Sequence, residues 1–447
     1  MRRVSDVDPE TAAGGGDPPA ASPGPFAAFG FRNFRVVWIG AVISNIGRWF
    51  QSVAIPLVIY DLTDGSAAWV GFAGFAQQIP TALLGPVAGA LADRYARRNI
   101  LIVTQSLQAV ASVAFVVMWS SGVRSPGAYV VAAIGTGVAA GLNLPAWQAF
   151  ISELVPREFL MSAITLNSAQ FNVARLLGPL MGGIVVREWG PGWAFSINTV
   201  TYLAVIIALV MVTMPRIHQP ADGRMRPIRE FIATLGYVRT RPGIVTAIAT
   251  VTLIGFFGLA GQSMSVTLAE DVFDRPDTGF GMMLTSAGLG AVVASPLIAW
   301  AAHRVRRSII QQGALVLYGA GIVLAGVAPW FELSLGGMFV MGMAHIASAS
   351  TLNTAIQLQV DETVRAKVLS VYLTTLLLST PLGLLVLGQA IDRFGPRETF
   401  VVSGVALVAV AAGLVVTGRL DGLDVEVGEY EPGSVGEAHP STPAPPG

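Results

Sequence analysis

The sequence is short of the residues on which many metal, redox and secreted proteins depend. It contains no cysteine, four histidines and 12% charged residues, against about 25% charged residues in a typical soluble domain. The absence of cysteine excludes a disulfide framework, a thiol nucleophile and a cysteine-ligated metal. The four histidines are scattered and suggest no metal cluster. We therefore expect neither a metal nor a cofactor.

Motifs for ATP use and for covalent catalysis are also missing. No Gly-x-x-x-x-Gly-Lys-Ser/Thr sequence occurs, and Lys367 is the only lysine, so direct ATP drive from this chain is not expected. No Ser/His/Asp arrangement stands out, which argues against an enzyme. Basic and acidic residues balance at 27 each, and no basic face for nucleic acid is present.

Long apolar runs are what the chain has in abundance. Hydrophobic residues make up 53% of the sequence, and about 20 apolar residues cross a bilayer core of about 30 Å as a helix. The predicted spans are 36–60, 68–92, 100–120, 127–150, 161–187, 192–214, 244–270, 278–302, 308–327, 331–356, 367–390 and 397–418. The sequence therefore predicts an all-α membrane protein with twelve transmembrane helices in a lipid bilayer.

The predicted spans fall into two halves, 31–214 and 244–418, joined by the arginine-rich loop 215–243. A shift of 205 residues places parts of the first half on the second. The matching positions are Gly178 with Gly383, Gly183 with Gly388, and Gly190-Pro191 with Gly395-Pro396. We interpret them as an internal duplication, which predicts two pseudo-symmetric six-helix bundles.

The two ends of the chain differ in composition from the predicted spans. Residues 1–30 are rich in glycine, proline and alanine, and 419–447 are acidic with a proline-rich terminus. Both are predicted to be disordered tails. With both termini inside the cell, 20 of the 27 basic residues fall in interior segments and five in exterior loops. This imbalance predicts that both termini are cytoplasmic.

The stretch Gly89-Ala90-Leu91-Ala92-Asp93-Arg94-Tyr95-Ala96-Arg97-Arg98 joins predicted spans 2 and 3. Four charges in six residues require an aqueous turn, and three arginines favour its cytoplasmic side. The pattern resembles the loop between helices 2 and 3 of the major facilitator superfamily. That resemblance implies a gating role for Gly89, Asp93, Arg94, Arg97 and Arg98. A plain loop that only sets topology is the alternative.

A second stretch, Ala174-Arg175-Leu176-Leu177-Gly178-Pro179-Leu180-Met181-Gly182-Gly183, lies in predicted span 5. Ala174, Gly178 and Gly182 recur every four residues, which permits close helix approach. The stretch resembles the antiporter signature Gly-x-x-x-Gly-Pro-x-x-Gly-Gly, with Ala174 in the first glycine position. The resemblance implies an exporter. The alternative is that these small residues serve only the tight packing of helices.

Three further segments resemble the siderophore-exporter branch of this superfamily, also labelled transmembrane secretion effectors. They are Asn33-Phe34-Arg35, Gly47-Arg48-Trp49-Phe50-Gln51 and Asn143-Leu144-Pro145. The branch implies efflux of a siderophore, antibiotic or other amphiphile from a bacterial cytoplasmic membrane, with protons as the coupling ion. An importer of the same fold and a non-transporting scaffold or sensor stay open.

Polar residues at mid-span are the candidates for substrate contact. Arginine at the bilayer centre costs about 2.5–3.5 kcal/mol on insertion scales, so it should face a cavity or a partner. The predicted cavity residues are Ser44, Arg48, Gln51, Ser52, Asn143, Trp147, Ser168, Asn172, Arg175, Gln262 and His345. No acidic residue lies comparably deep, which favours an acid-bearing substrate. There are alternatives to a cavity role for two of these residues. Arg175 could instead donate hydrogen bonds to backbone carbonyls near Pro179, and His345 could be a packed polar residue rather than a proton relay.

Overall fold

A computed structural model describes residues 24–212, 227–276 and 278–425. Its α-helices are α1 (Arg32–Leu62), α2 (Ala67–Arg94), α3 (Arg97–Ser120), α4 (Pro126–Ile151), α5 (Leu160–Trp189), α6 (Pro191–Met211), α7 (Pro227–Arg239), α8 (Pro242–Leu253), α9 (Ala260–Thr267), α10 (Thr278–Ala301), α11 (Arg307–Val327), α12 (Phe331–Gln359), α13 (Glu362–Phe394) and α14 (Pro396–Val416). Two π-helical segments, Ile254–Leu259 and Leu268–Val272, join with α8 and α9 into one continuous run.

The helices form two bundles, as the duplication predicts. The first bundle contains α1 to α6, and the second contains α8 to α14. Eleven helical segments of the described ranges are long and apolar enough to cross a membrane. The remaining predicted span is α2, which has 28 residues and packs against α4 and α13. Its Gln77 and Gln78 line a cavity between the bundles.

The duplicated Gly-Pro pairs have the same local structure in both bundles. Gly190 and Gly395 have φ values of 83° and 90°, a region that favours glycine because it has no Cβ. Pro191 and Pro396 then open α6 and α14, where a missing backbone N–H costs nothing. Each pair therefore turns the chain sharply at the end of a span and starts the next helix.

Two pairs of helices hold the bundles together, α2 with α13 and α5 with α10. A Cβ added to Gly71 would lie 2.2 Å from the carbonyl oxygen of Leu384, and one added to Gly281 would lie 2.4 Å from the carbonyl oxygen of Pro179. Backbones approach this closely only where a side chain is absent. The interface between the bundles is therefore built on small residues.

Parts of the segments predicted to be disordered or irregular are ordered. Residues 27–30 form a 3₁₀ turn in which the Ala28 amide donates to Ser162 Oγ at 3.1 Å. Helix α7 occupies part of the predicted central loop. Residues 419–423 form another 3₁₀ turn with Leu420 and Leu423 buried. Local packing outweighs composition at these places, while the remaining tail and loop positions, 1–23, 213–226 and 426–447, lie outside the described residues.

An aspartate joins the two bundles at the end where α2 begins, which we call the latch end. Asp392 of α13 accepts hydrogen bonds from Ser66 Oγ at 2.7 Å, from the Ala67 amide at 2.6 Å and from the Ala68 amide at 3.2 Å. Unpaired amides and the helix dipole at a helix N-terminus both favour a carboxylate. Asp392 therefore ties the bundles together at the latch end.

The opposite end, which carries the α2–α3 loop, is called the loop end. Asp93 and Arg94 are exposed there. Arg97 forms an ion pair with Glu153, which follows α4 in the first bundle. Arg98 donates to the carbonyls of the last α6 turn, including Leu209 at 2.6 Å. Arg97 and Arg98 are thus both bound to residues of the first bundle, to which they themselves belong.

We predict that Asp392→Ala opens the latch end. Hydrogen bonds to a charged group contribute about 1.5–3 kcal/mol each and the helix N-terminus about 0.3–1 kcal/mol, so their loss should shift the population toward an open latch end. Spin labels on Ser121→Cys and Glu332→Cys, both exposed, would report longer distances. The native chain has no cysteine to remove.

Asp424→Ala is the matched control for this experiment. Asp424 caps α11 through the Ser308 amide at 3.0 Å and Ser308 Oγ at 2.6 Å, entirely within the second bundle. Its loss should lower stability without changing the distance between the labels. An unchanged distance distribution in Asp392→Ala would show that the aspartate does not hold the bundles together.

Candidate functional site

Two connected cavities lie at the centre of the molecule. The first has a volume of about 660 Å³ and is lined by the first bundle alone. The second has a volume of about 550 Å³ and is lined by both bundles. Arg48, Trp49 and Ser52 border both. The first cavity reaches Gln148, close to the loop end of α4, so the space runs from the centre toward the loop end.

The polar face predicted on span 1 lies on these cavities. Ser44, Arg48 and Ser52 line the first cavity, and Gln51 lines the second. Arg48 and Ser52 are exposed to this space, whereas Ser44 and Gln51 are buried. Gln51 Oε1 accepts a hydrogen bond from Asn198 Nδ2 of α6 at 2.7 Å. Gln51 therefore also ties α1 to α6.

Arg48 is held in place by a chain of side-chain amides that the sequence analysis missed. Its guanidinium donates to Asn45 Oδ1 at 2.5 Å, and Asn45 Nδ2 donates to Gln170 Oε1 at 2.8 Å. Gln170 Nε2 in turn donates to Asn167 Oδ1 at 3.3 Å. The Phe171 ring lies 5.8 Å from Arg48 Cζ, in cation–π range.

Asn45 and Arg48 are three residues apart on one helix, and this spacing predicts the first hydrogen bond of the amide chain. The pairing of Asn45 with Gln170, by contrast, joins α1 to α5. Such a pairing depends on how the helices pack, and no pattern within one helix predicts it.

The predicted residues of spans 4 and 5 also lie on the cavities. Asn143, Trp147, Ser168 and Asn172 line the first cavity. Asn143 Nδ2 donates to Thr104 Oγ1 at 2.8 Å, and Trp147 Nε1 donates to Asn167 Oδ1 at 3.3 Å. Asn172 Nδ2 donates to the Ser168 carbonyl at 3.0 Å. These side chains thus serve the bundle's own packing as well as the cavity wall.

Residues from both bundles meet around Tyr318 in the second cavity region. Gln262 Nε2 donates to the Tyr318 hydroxyl at 3.3 Å, and the His345 ring stands edge-on to the Tyr318 ring at 6.4 Å. His345 Nδ1 is buried without a hydrogen-bond partner among the described residues. Arg175, Gln262 and His345 all line this cavity.

Arg175 is half-buried and comes from the first bundle. Among the described residues, no hydrogen bond joins its guanidinium to the carbonyls near Pro179. The neighbouring backbone is used differently, since the Leu180 amide donates to Thr285 Oγ1 of α10 at 3.1 Å.

A wide helical turn shapes the wall beside Gln262. The π-helical segment Ile254–Leu259 contains Gly258, where an added Cβ would lie 2.4 Å from Tyr318 Cζ. Such π-segments inside α-helices are frequent at functional sites. Here Gly258 lets Tyr318 pack against the backbone of the segment, and Gln262 and Ser263, which follow it, line the cavity.

No acidic side chain borders either central cavity within the described residues. Asp61 and Glu270 line a separate cavity of about 580 Å³ beside Tyr60 and Trp119 at the latch end. Asp93 is exposed at the loop end. The positive charges of Arg48 and Arg175 therefore face the central space without a carboxylate in its walls.

The small residues of α5 pack against α1. An added Cβ at Gly178 would lie 2.5 Å from Trp49 Cβ, and one at Gly182 would lie 3.1 Å from Phe50 Cα. Ala174 is fully buried on the same stripe. The adjoining Gly183 and Pro179 form the close contact with Gly281 of α10. One short stretch thus serves both the α1–α5 packing and the interface between the bundles.

The architecture and the cavity can be compared with known proteins. The sequence pattern of the family described as transmembrane secretion effector matches residues 23–427. The chain belongs to this family, a branch of the major facilitator superfamily. It is thus a multi-pass membrane transporter rather than an enzyme, in agreement with the prediction.

Relatives with known activities include efflux proteins. The chain is 21% identical over 399 residues to macrolide efflux protein A of Streptococcus pyogenes, covering 88% of this chain and 98% of the relative. It is 22% identical over 399 residues to the enterobactin exporter EntS of Citrobacter koseri, covering 84% and 89%. These relatives support a secondary transporter.

A solved structure confirms the fold. A bacterial homologue of the human lysosomal transporter Spinster superposes with a TM-score of 0.67 at 16% identity, covering 89% of this chain and 98% of that one. At this identity the likeness concerns the arrangement of the two bundles alone.

We predict that Gly178→Ala lowers the midpoint of thermal unfolding in detergent. The new methyl group would overlap Trp49 close to the backbone, and overpacking of a tight contact typically costs 1–3 kcal/mol. Gly313→Ala is the matched control, since no heavy atom lies within 4 Å of its added Cβ and alanine favours the helix. Equal midpoints for the two variants would contradict the close approach of α1 and α5.

Proposed function

We propose that the chain exports a small acid-bearing organic molecule from a bacterial cell by alternating access, driven by proton antiport. The observation that carries this proposal is the pair of arginines facing a cavity with no carboxylate in its described walls. Charge at membrane depth is retained where it serves a pathway or a partner. Because the cavity lies between two related bundles, a rocking motion would expose it to each side in turn.

The efflux relatives support export as the direction. Their names suggest a siderophore, an antibiotic or a similar amphiphile as the class of cargo. Gly178, Pro179, Gly182 and Gly183 form the resemblance to the antiporter signature, and we propose that their close packing serves the rocking of the bundles. Asp93, Arg94, Arg97 and Arg98 are proposed to gate the loop end when it closes.

The coupling group is proposed to be His345. A histidine ring can bind and release a proton, and among the described residues that line the two cavities it is the only histidine. Its unpartnered Nδ1 provides a place for a proton or a substrate donor. In the His345→Gln variant, an imposed pH gradient should therefore no longer drive transport.

The loop arginines support a proposed orientation in the membrane. We propose that the loop end and both termini face the cytoplasm, because basic residues cluster on that side of the membrane. The structure would then be open toward the cytoplasm and closed at the exterior by the Asp392 contact.

A labelling experiment tests this orientation. Tyr95→Cys in the α2–α3 loop and Ser121→Cys after α3 both replace exposed residues of a chain without cysteine. A membrane-impermeant maleimide added to intact spheroplasts should label Ser121→Cys, and Tyr95→Cys only after lysis. The reverse pattern would overturn the proposed topology.

Transport itself is tested in inside-out vesicles with an imposed proton gradient. The panel pairs catecholate and hydroxycarboxylate siderophores with cationic dyes. We expect gradient-dependent uptake of acids, reduced at least about tenfold in Arg48→Leu, since loss of a charged contact of a few kcal/mol has this size. The amount of variant in the membrane should be unchanged.

Arg124→Leu is the control for a general loss of positive charge. Arg124 is exposed after α3 and lies over the Trp119 ring at 5.7 Å, away from the central cavities, so its transport should match the native protein. Wild-type rates in Arg48→Leu would contradict an arginine-lined substrate site. Uptake into right-side-out vesicles alone would favour the importer, and no movement in either direction would favour a scaffold or sensor.

A further inference from the structure

We infer that the cavity binds an anionic amphiphile in one orientation, with its acid group on Arg48 inside the first bundle and its apolar part against the second bundle. This inference rests on the proposed function and narrows its substrate class. It follows from how differently the two bundles contribute to the cavity walls.

The first cavity is built to bind a polar group. Among the described residues, eight carboxamide side chains border it, and Arg48 is the one charged residue in its walls. Trp49, Trp147 and Phe171 add aromatic surface to the same wall. Asparagine and glutamine both donate and accept hydrogen bonds, so this pocket can satisfy the several polar atoms of a head group that leaves water.

Arg48 is oriented before any ligand arrives. The amide chain from Asn45 through Gln170 to Asn167 fixes one edge of the guanidinium, and Phe171 lies against it. Every member of this chain is neutral, so the positive charge is not cancelled by it. A guanidinium has five N–H donors in a planar fork that matches a carboxylate or phosphate. Its remaining donors are therefore available for an anionic group.

A hydrogen-bond donor is also expected in the polar head group of the ligand. Gln105 borders the first cavity, is only 7% exposed, and has an Oε1 atom without a hydrogen-bond partner among the described residues. A buried unpaired carbonyl is unfavourable. An N–H or O–H donor on the polar head group of the ligand would relieve this cost.

The second bundle offers mostly apolar surface to the same space. Its contribution to the second cavity includes Leu284 of α10, Leu376 and Leu384 of α13, and Phe280. Arg48 borders this cavity too, so a ligand held by its acid at Arg48 has an apolar wall within the connected space. Burying hydrocarbon there contributes about 0.8 kcal/mol per methylene. The acid and the hydrocarbon therefore have separate places in the cavity.

Arg175 is the competing anchor for the acid. It lines the second cavity only, is half-buried, and lies next to the Tyr318 and His345 cluster of the second bundle. Anchoring there would place the hydrocarbon differently. The same substitution at the two arginines therefore separates the two orientations.

Single thiols in this cysteine-free chain can report the orientation. The probe is 8-(bromoacetamido)octanoic acid, whose reactive end is far from its acid, and the control probe is the uncharged 8-(bromoacetamido)octanamide. The cysteine thiolate displaces bromide, which forms one S–C bond and releases bromide, and intact-mass spectrometry follows the adduct. Leu284→Cys places the thiol on the apolar wall, and Ala140→Cys places it on the shared border of both cavities.

We expect the acid probe to label Leu284→Cys at least about tenfold faster than the amide probe, the same size of effect as expected for loss of the charged contact at Arg48. Ala140→Cys should show no such preference. Adding Arg48→Gln should abolish the preference, while adding Arg175→Gln should leave it in place. Each preference is the ratio of two labelling rates measured on the same protein, so a change in thiol reactivity cancels.

Equal rates of the two probes at Leu284→Cys would overturn the inferred orientation. So would a preference that survives Arg48→Gln, or one that is lost in Arg175→Gln. Leu376→Cys on α13 repeats the measurement if Leu284→Cys does not reach the membrane. Oriented labelling without gradient-driven transport would refute export while keeping the binding mode. Gradient-driven transport without oriented labelling would refute the binding mode and support export.

Discussion

Positive charge inside a membrane protein needs water, a partner or a ligand, and this constraint organises the centre of the molecule. Arg48 satisfies it in two ways, through the neutral amide chain that begins at Asn45 and through exposure to the central cavity. Arg175 lies where the two bundles face one another beside Tyr318. Both side chains line the central cavities, which keeps their charge out of lipid.

Close backbone packing joins the two bundles on either side of this cavity. Gly71 on Leu384 and Gly281 on Pro179 bring helices of different bundles to within van der Waals distance. Smooth contacts of this kind can slide or rock with little steric cost. The directional polar contacts between the bundles are then few, and the Asp392 cap on α2 is the most complete of those described. A single carboxylate can therefore weigh heavily on which end is closed.

The two bundles resemble one another in their helix pattern but differ in their chemistry. Gly190-Pro191 and Gly395-Pro396 turn the chain in the same way. The amide-rich pocket, by contrast, belongs to the first bundle alone, while the second bundle supplies leucines, an aromatic–histidine cluster and a π-helical turn. The two bundles thus keep a similar frame, while their side chains make the two sides of the second cavity chemically different.

The sequence by itself determined the membrane class, the two bundles and the family, because long apolar runs, the repeated Gly-Pro turns and the α2–α3 loop motif are local patterns. It also selected Arg48, Arg175 and their helical neighbours, since polar residues at mid-span are rare and costly. Only the tertiary structure decided that Gln170 supports Asn45, that Asp392 caps α2 and that residues 419–425 are ordered. Each of these contacts joins segments far apart in the chain, and their geometry depends on helix packing rather than on spacing along one helix.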